Sequence, residues 1–171
     1  MGNAALFFNR PIKVATFNAN SVRARLGILL DWLAREQPDL VGLQETKVQD
    51  RDFPVEAFRE AGYCAAFRGQ KSYNGVAVLS RSPMENVRVD LDDPGPDEEA
   101  RYIRVEAGSL RFVNVYVPQG QAVGSDRFRR KLQWLRAFLE DLRAGCDPGR
   151  PLLVTGDFNV ALDARDVYDP E

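Results

Sequence analysis

The chain alternates between two apolar rhythms. Residues 12–17 (IKVATF) and 40–44 (LVGLQ) are short, nearly continuous apolar runs, the pattern of strands buried in a core. Between them, SVRARLGILLDWLAREQ places Val22, Leu26, Leu29, Leu30 and Leu33 on one side of a helix, with Ser21 as its N-cap and Pro38 as its stop. A short helix is predicted after Pro54, through VEAFREAG. From Tyr63 the pattern turns to strands at CAAFRG, GVAVLS, ENVRVDL, RYIRVEAG and LRFVNVYVP, separated by turn signals at Tyr73-Asn74-Gly75, Asp93-Pro94-Gly95-Pro96 and Gly108-Ser109. SDRFRRKLQWLRAFLEDLRAG is a second amphipathic helix with a predicted core stripe of Phe128, Leu132, Leu135, Phe138, Leu139 and Leu142. The face with Arg129, Arg130 and Lys131 reads as solvated. PLLVTGDF is the last predicted strand, and the acidic DDPGPDEEA is a loop. This order predicts a sheet-rich α/β domain with helices on its outer faces.

A length of 171 residues suits one domain with a real core. The formal charge of -2 creates no bulk field for nucleic acid or membrane, although a local basic face fits inside a neutral total. Cys64 and Cys146 have neither CxxC nor Cys/His spacing, so free thiols in a reducing compartment are expected. ALFF is too short for a signal segment, no apolar run could span a bilayer, and Leu6 breaks a myristoylation motif. The expectation is a cytoplasmic protein with no membrane partner. Neither GxGxxG nor GxxxxGK[ST] occurs, so the dinucleotide and P-loop classes are excluded.

Several predicted strands end on polar side chains. VATFN ends at Asn18, VGLQE at Glu45, LVTGDFN at Asp157 and Asn159, and FVNVYVP presents Tyr116 near its exit. Ligand sites of α/β sheets form where loops leave the strand ends. If these strands are neighbours, oxygen-bearing side chains converge there with no histidine in the chain. Carboxylate and carboxamide oxygens suit Mg²⁺ or Mn²⁺ rather than zinc, and leave positions open for a substrate phosphate. Asp157 would orient or deprotonate a water, and Asn159 would hold Asp157 or a phosphate oxygen. Strand alternation puts 157 and 159 on one face, with Phe158 on the other. Each feature alone has a plainer reading: an Asx turn at Asn18, a solvated Glu45, a strand-ending turn at 157–159, a packed Tyr116.

ATFNANSVRARL, PDLVGLQETK, GQKSYNGVAVLSR, EEARYIRV, VNVYVPQG and LLVTGDFNVALDARDVYDPE together resemble the exonuclease III family of AP endonucleases, in order and from Lys13 onward. LQETK or GDFN alone would indicate only the wider endonuclease/exonuclease/phosphatase superfamily. The resemblance implies a four-layer α-β-β-α sandwich that cuts DNA phosphodiesters with Mg²⁺ or Mn²⁺. It implies Glu45 as the principal metal ligand with Asn18 beside it, Asp157 as the residue activating water and Asn159 its partner at the phosphate, and Asp157 and Asn159 are also counted among the oxygens of the metal site. Tyr116 matches the family's active-site tyrosine, Gln119 falls where the family touches the DNA backbone, and Arg101 lies in a matching motif. Lys71 and Arg101 also belong to a cluster of basic residues in or beside the matched motifs that would meet DNA phosphates. Asn20 lies in a matching motif too.

Family members continue past DVYDPE to an Asp-His pair. The resemblance therefore casts residues 1–171 as the N-terminal two-thirds of one domain, its second sheet lacking the C-terminal strands. The expected partner is double-stranded DNA with abasic sites or 3′ ends, and the complete protein is expected to be a monomer. The 171 residues alone are expected to be inactive and marginally folded. Two other readings remain open: a superfamily phosphoesterase acting on phosphoinositide, sphingomyelin or RNA, and a non-catalytic binding remnant.

Overall fold

The structure, a computed structural model, describes residues 11–92, 99–145 and 147–167. Strand β1 (Val14–Asn18) leads through α1 (Leu26–Glu36) to β2 (Leu40–Gln44), and α2 (Val55–Glu60) to β3 (Cys64–Arg68). Then come β4 (Val76–Ser80), β5 (Glu85–Arg88), β6 (Tyr102–Ala107), β7 (Leu110–Tyr116), α3 (Asp126–Gly145) and β8 (Leu152–Asp157). They form two four-stranded sheets, ordered β1-β2-β4-β3 and β5-β6-β7-β8. The sheets stack with β1 over β8 and β2 over β7. The pairs β1–β2 and β7–β8 are parallel, so these four strands leave at one corner of the sandwich.

Period-2 alternation sorts the side chains into layers. Val41 and Leu43 pack outward under Leu29 and Leu33 of α1, together with Phe53 and Phe58. Leu40, Val76, Val78, Ile103, Val105 and Phe112 fill the space between the sheets. Val113, Val115 and Val117 face Trp134 and Phe138 of α3. The expected four-layer α-β-β-α arrangement is therefore present. Among the described residues no helix is long and apolar enough to cross a membrane. Cys64 is exposed and free, Cys146 lies outside the described residues, and so does most of the acidic loop.

Two details differ from the sequence reading. Helix α1 begins at Leu26, not at Ser21, and Ser21 is not its N-cap. The N–H groups of Ala19, Ser21 and Val22 instead donate to the carbonyls of Gln44, Glu45 and Thr46, which holds this segment out of the helix. Helix α3 is also rotated from the predicted stripe. Lys131, Trp134, Phe138 and Asp141 are its buried positions, whereas Leu132 and Leu139 are 39% and 44% exposed. The two polar members find partners inside. Asp141 accepts from the Tyr102 hydroxyl at 2.6 Å and pairs with Arg88 and Arg104, and the Lys131 ammonium reaches the carbonyls of Phe158 and Asn159. Lys131 is thus not on a solvated face.

Far from the corner, Glu106 receives hydrogen bonds from Asn86 at 2.8 Å, Arg150 at 3.1 Å and Arg111 at 3.3 Å. The Asn86 bond leads, and with the two arginines it outweighs partial burial, holding the Glu106 carboxyl at about 2 against an ordinary 4.5. A carboxyl depressed on folding stabilises the fold above its unfolded value and loses that contribution as pH falls toward its folded value. Thermal midpoints should therefore drop between pH 4.5 and about 2, and Glu106→Gln should flatten that drop while lowering the midpoint at pH 7. Parallel pH profiles for the two proteins would show that this cluster adds nothing.

Candidate active site

The site is assembled by the same alternation. Thr16 and Asn18, Asn114 and Tyr116, and Thr155 and Asp157 are successive inward positions on β1, β7 and β8. At the shared exit the Asn18 side-chain amide donates to Glu45 Oε1 at 2.7 Å and to Asp157 Oδ2 at 2.9 Å. One NH₂ group thus holds carboxylates from two different sheets within hydrogen-bonding reach of itself. Its own carbonyl oxygen accepts from the backbone N–H of Asn20 at 3.0 Å.

Glu45 reaches this corner through its backbone. It directly follows inward-facing Gln44, so an unbroken strand would turn it toward α1. Its φ of 49° ends the extended run. Asn20, Ser21, Lys47 and Asn159 also have positive φ, and such a concentration of sparsely populated backbone is a mark of functional sites. Lys47 lies 2.9 Å from Glu45 Oε2, and the Tyr116 hydroxyl lies beside the same carboxylate, close enough for each to shift the other's pKa. Burial pushes the Glu45 carboxyl up, but the bonds from Asn18 and Lys47, the Lys47 charge and the Tyr116 hydroxyl outweigh it and leave the pKa below the ordinary value. Burial raises the Tyr116 hydroxyl, and the neighbouring Glu45 charge raises it further, so it remains protonated at neutral pH.

Asp157 is fixed from the other side. The Asn159 N–H donates to Asp157 Oδ1 at 3.0 Å, and the Val117 N–H takes the Asp157 backbone carbonyl at 2.9 Å. The Asn159 side chain does not join the cluster. Strand β8 stops at Asp157, Asn159 has a φ of 49°, and its amide donates to the Val117 carbonyl at 2.8 Å. The alternation expected to keep 157 and 159 on one face is broken there. The whole GDFN turn is clamped from α3 by Lys131, whose ammonium is pushed down in pKa by burial and partly restored by the Asp157 charge.

Beside Tyr116 lies a groove of about 510 Å³, lined among others by Tyr73, Arg101, Gln119, Arg127 and Arg130. Arg101 is buried, its Nε 2.6 Å from Glu99 and its guanidinium carbon 4.7 Å above the Tyr116 ring, so it braces the tyrosine as well as lining the groove. Lys71 is exposed on the neighbouring loop. A second groove, about 790 Å³, runs past Asn18 and Asp157 along Phe158–Leu162.

Asn18, Glu45, Tyr116 and Asp157 are therefore in direct contact, Asn159 touches the cluster through its backbone, and Arg101 and Gln119 line the adjoining groove. Lys47 and Arg127 were not named from the sequence, and Lys131 was read there as part of a solvated face. Lys47, two residues after the strand end in LQETK, carried the one usable signal: a cation following an acid at a strand exit. The atoms that could bind a cation at the corner are all oxygens. Among the described residues no group of three or more His, Cys, Asp or Glu could hold a metal ion, and the corner offers two carboxylates with the Asn18 carboxamide. Two carboxylates drawn together around one amide suit a hard divalent cation.

Comparison with known proteins identifies the fold and the family. The chain is 32% identical over 161 residues to exodeoxyribonuclease III of Haemophilus influenzae, a match covering 91% of the chain and 60% of that protein. A solved AP endonuclease from Archaeoglobus fulgidus superposes with a TM-score of 0.87 at 41% identity, over 94% of this chain and 62% of that one. The Neisseria 3′ phosphatase NExo bound to a product DNA hairpin superposes with a TM-score of 0.86 at 36% identity, over 94% and 62%. The chain thus spans about three fifths of the length of these proteins. The profile of the Endonuclease/Exonuclease/phosphatase family matches residues 15–171, and this chain belongs to that family.

Proposed function

We propose that this protein is a Mg²⁺- or Mn²⁺-dependent DNA phosphodiesterase of the exodeoxyribonuclease III type, incising duplex DNA at abasic sites or trimming 3′ ends. The observation that carries the reading is the Asn18 amide joining Glu45 and Asp157, beside Tyr116, where four strands leave the two sheets. Residues 1–171 act in this reading as the N-terminal two-thirds of one domain, supplying the metal side of the site in the cytoplasm.

Glu45, held ionised, and Asn18 would hold the metal beside Asp157. When bound, the cation neutralises charge on a phosphate oxygen. Asp157, its free direction set by Asn18 and the Asn159 N–H, takes a proton from the attacking water. The water oxygen bonds to phosphorus, a P–O ester bond breaks, and the departing oxygen is protonated by solvent. Tyr116, kept protonated, offers its O–H to a phosphate oxygen of the bound substrate. Asn159 supports Asp157 at the scissile phosphate, while Gln119, Arg101 and Lys71 flank the path of the DNA backbone. Most of the rate in such a reaction comes from positioned charge and donors.

The test adds the unmatched portion of the H. influenzae relative to this chain, in trans or as a fusion, and assays an abasic duplex. Incision that requires the added portion and disappears with EDTA is expected, with the 171-residue chain alone inactive. Cleavage that survives EDTA would overturn the metal reading. Hydrolysis of inositol phospholipid or RNA in preference to the abasic duplex would overturn the substrate.

A further inference from the structure

One layer beneath the site, between the sheets, lies a set of side chains that sequence periodicity would make apolar. Asn114 and Gln44 are 0% and 1% exposed, each inside an otherwise apolar strand. The Asn114 amide crosses from β7 into the opposite sheet and donates to the carbonyls of Leu43 at 2.8 Å and Ala77 at 3.1 Å, one on β2 and one on β4. Carbonyls can only accept, so the Asn114 NH₂ must face them and its oxygen must face Gln44. Gln44 Nε2 meets that oxygen at 2.5 Å, and also lies 2.9 Å from Thr16 Oγ1 of β1.

Glycine at 42 makes room for this bridge. A Cβ there would lie 2.6 Å from Asn114 Oδ1 and 2.9 Å from Thr155 Oγ1 of β8. All four strands that carry the site thus meet around the buried Asn114–Gln44 pair, with Thr155 half-buried and Thr16 exposed at the sheet edge. Thr16, Asn114 and Thr155 each sit two residues before Asn18, Tyr116 and Asp157, and Gln44 directly precedes Glu45. Buried amides cost stability unless fully bonded, and two apolar side chains of similar shape could fill the same volume. Packing therefore does not require this bridge.

We propose that Asn114 and Gln44 are positioning residues, an amide staple that fixes how far the β1–β2 exit stands from the β7–β8 exit, and so the separation of Glu45 from Tyr116 and Asp157. The inference rests on the reading of the corner as a metal–phosphate site. Removing the staple leaves every site residue in place but lets the two sheets slide, and residues that orient metal ligands from behind typically alter affinity by about 10–100-fold.

The experiment is a Mn²⁺ titration of the 171-residue chain against the double variant Gln44→Leu/Asn114→Leu, with thermal unfolding of both. Replacing both partners leaves no orphaned amide, so the double variant should melt close to the parent. Its Mn²⁺ affinity should nevertheless fall by about tenfold. Equal affinity in parent and double variant would overturn the staple while leaving the site reading intact. Absence of Mn²⁺ binding in the parent would overturn the site reading and the staple with it. If the double variant does not fold, Gln44→Met decides: it leaves Asn114 on both carbonyls but removes the side-chain link that runs from Asn114 through Gln44 to Thr16 of β1. Weakened Mn²⁺ binding supports the staple, and unchanged binding overturns it.

Discussion

Glu45→Gln, in the chain joined to the unmatched portion of its relative, lowers kcat/KM on an abasic duplex by about 10²–10³-fold, the usual effect of removing one preorganised electrostatic group. The carboxylate now accepts from Asn18 and pairs with Lys47 beside the Tyr116 hydroxyl, and glutamine offers one oxygen and an NH₂ where these groups converge. The variant also needs more Mg²⁺ to reach half its remaining activity, because the ionised ligand is gone. Folding changes little, since Glu45 is only partly buried and Lys47 keeps Asn20 as an acceptor. The thermal midpoint should move by no more than about 4 °C, the equivalent of 1 kcal/mol in a domain of this size. Activity and Mg²⁺ dependence equal to the parent would remove Glu45 from the mechanism.

Gly156→Ala is expected to destabilise the chain by about 3 kcal/mol, the upper range for overpacking, and to abolish the cluster at the corner. Gly156 has a φ of 145°, and a Cβ there would lie 2.1 Å from the Val115 carbonyl oxygen. That oxygen belongs to the central strand of its pair, whose backbone is held by β6 on one side and β8 on the other, so it cannot yield. Strand β8 must move instead, carrying Asp157 away from Asn18. Chemical denaturation gives the stability, and loss of activity beyond the unfolded fraction gives the displacement. A stable, active Gly156→Ala protein would mean that β8 tolerates a shift at its end.

Much of this was legible because alternation is a strong signal in strands that face two cores. β2 spans the predicted residues, and Asn18, Glu45, Tyr116 and Asp157 stood out as oxygen-bearing side chains at the ends of apolar runs. What escaped was polar chemistry inside the core. Lys131 was set on a solvated face, and Asp141 was left outside the predicted core stripe, because that stripe admits only apolar residues. Trp134 packs against Phe138, with ring centroids 5.5 Å apart, and this buried face carries both charges inward where carbonyls and arginines meet them. Asn114 and Gln44 were visible as polar interruptions in FVNVYV and LVGLQ, but only the sheet stacking shows that they answer each other. Ser21 failed as a cap because the neighbouring strand's carbonyls had taken the backbone that would start the helix. Asn159 left the cluster because its left-handed backbone breaks the period on which the same-face argument rested.

The central claim is that a hard cation binds where Asn18, Glu45 and Asp157 meet. The most direct measurement is Mn²⁺ added in small steps to the ¹⁵N-labelled chain, following paramagnetic broadening of its amide signals. The account predicts that signals around residues 18, 45 and 157 broaden first, that Mg²⁺ restores them, and that Glu45→Gln removes the effect. Broadening that begins elsewhere, or that Mg²⁺ does not reverse, would contradict it.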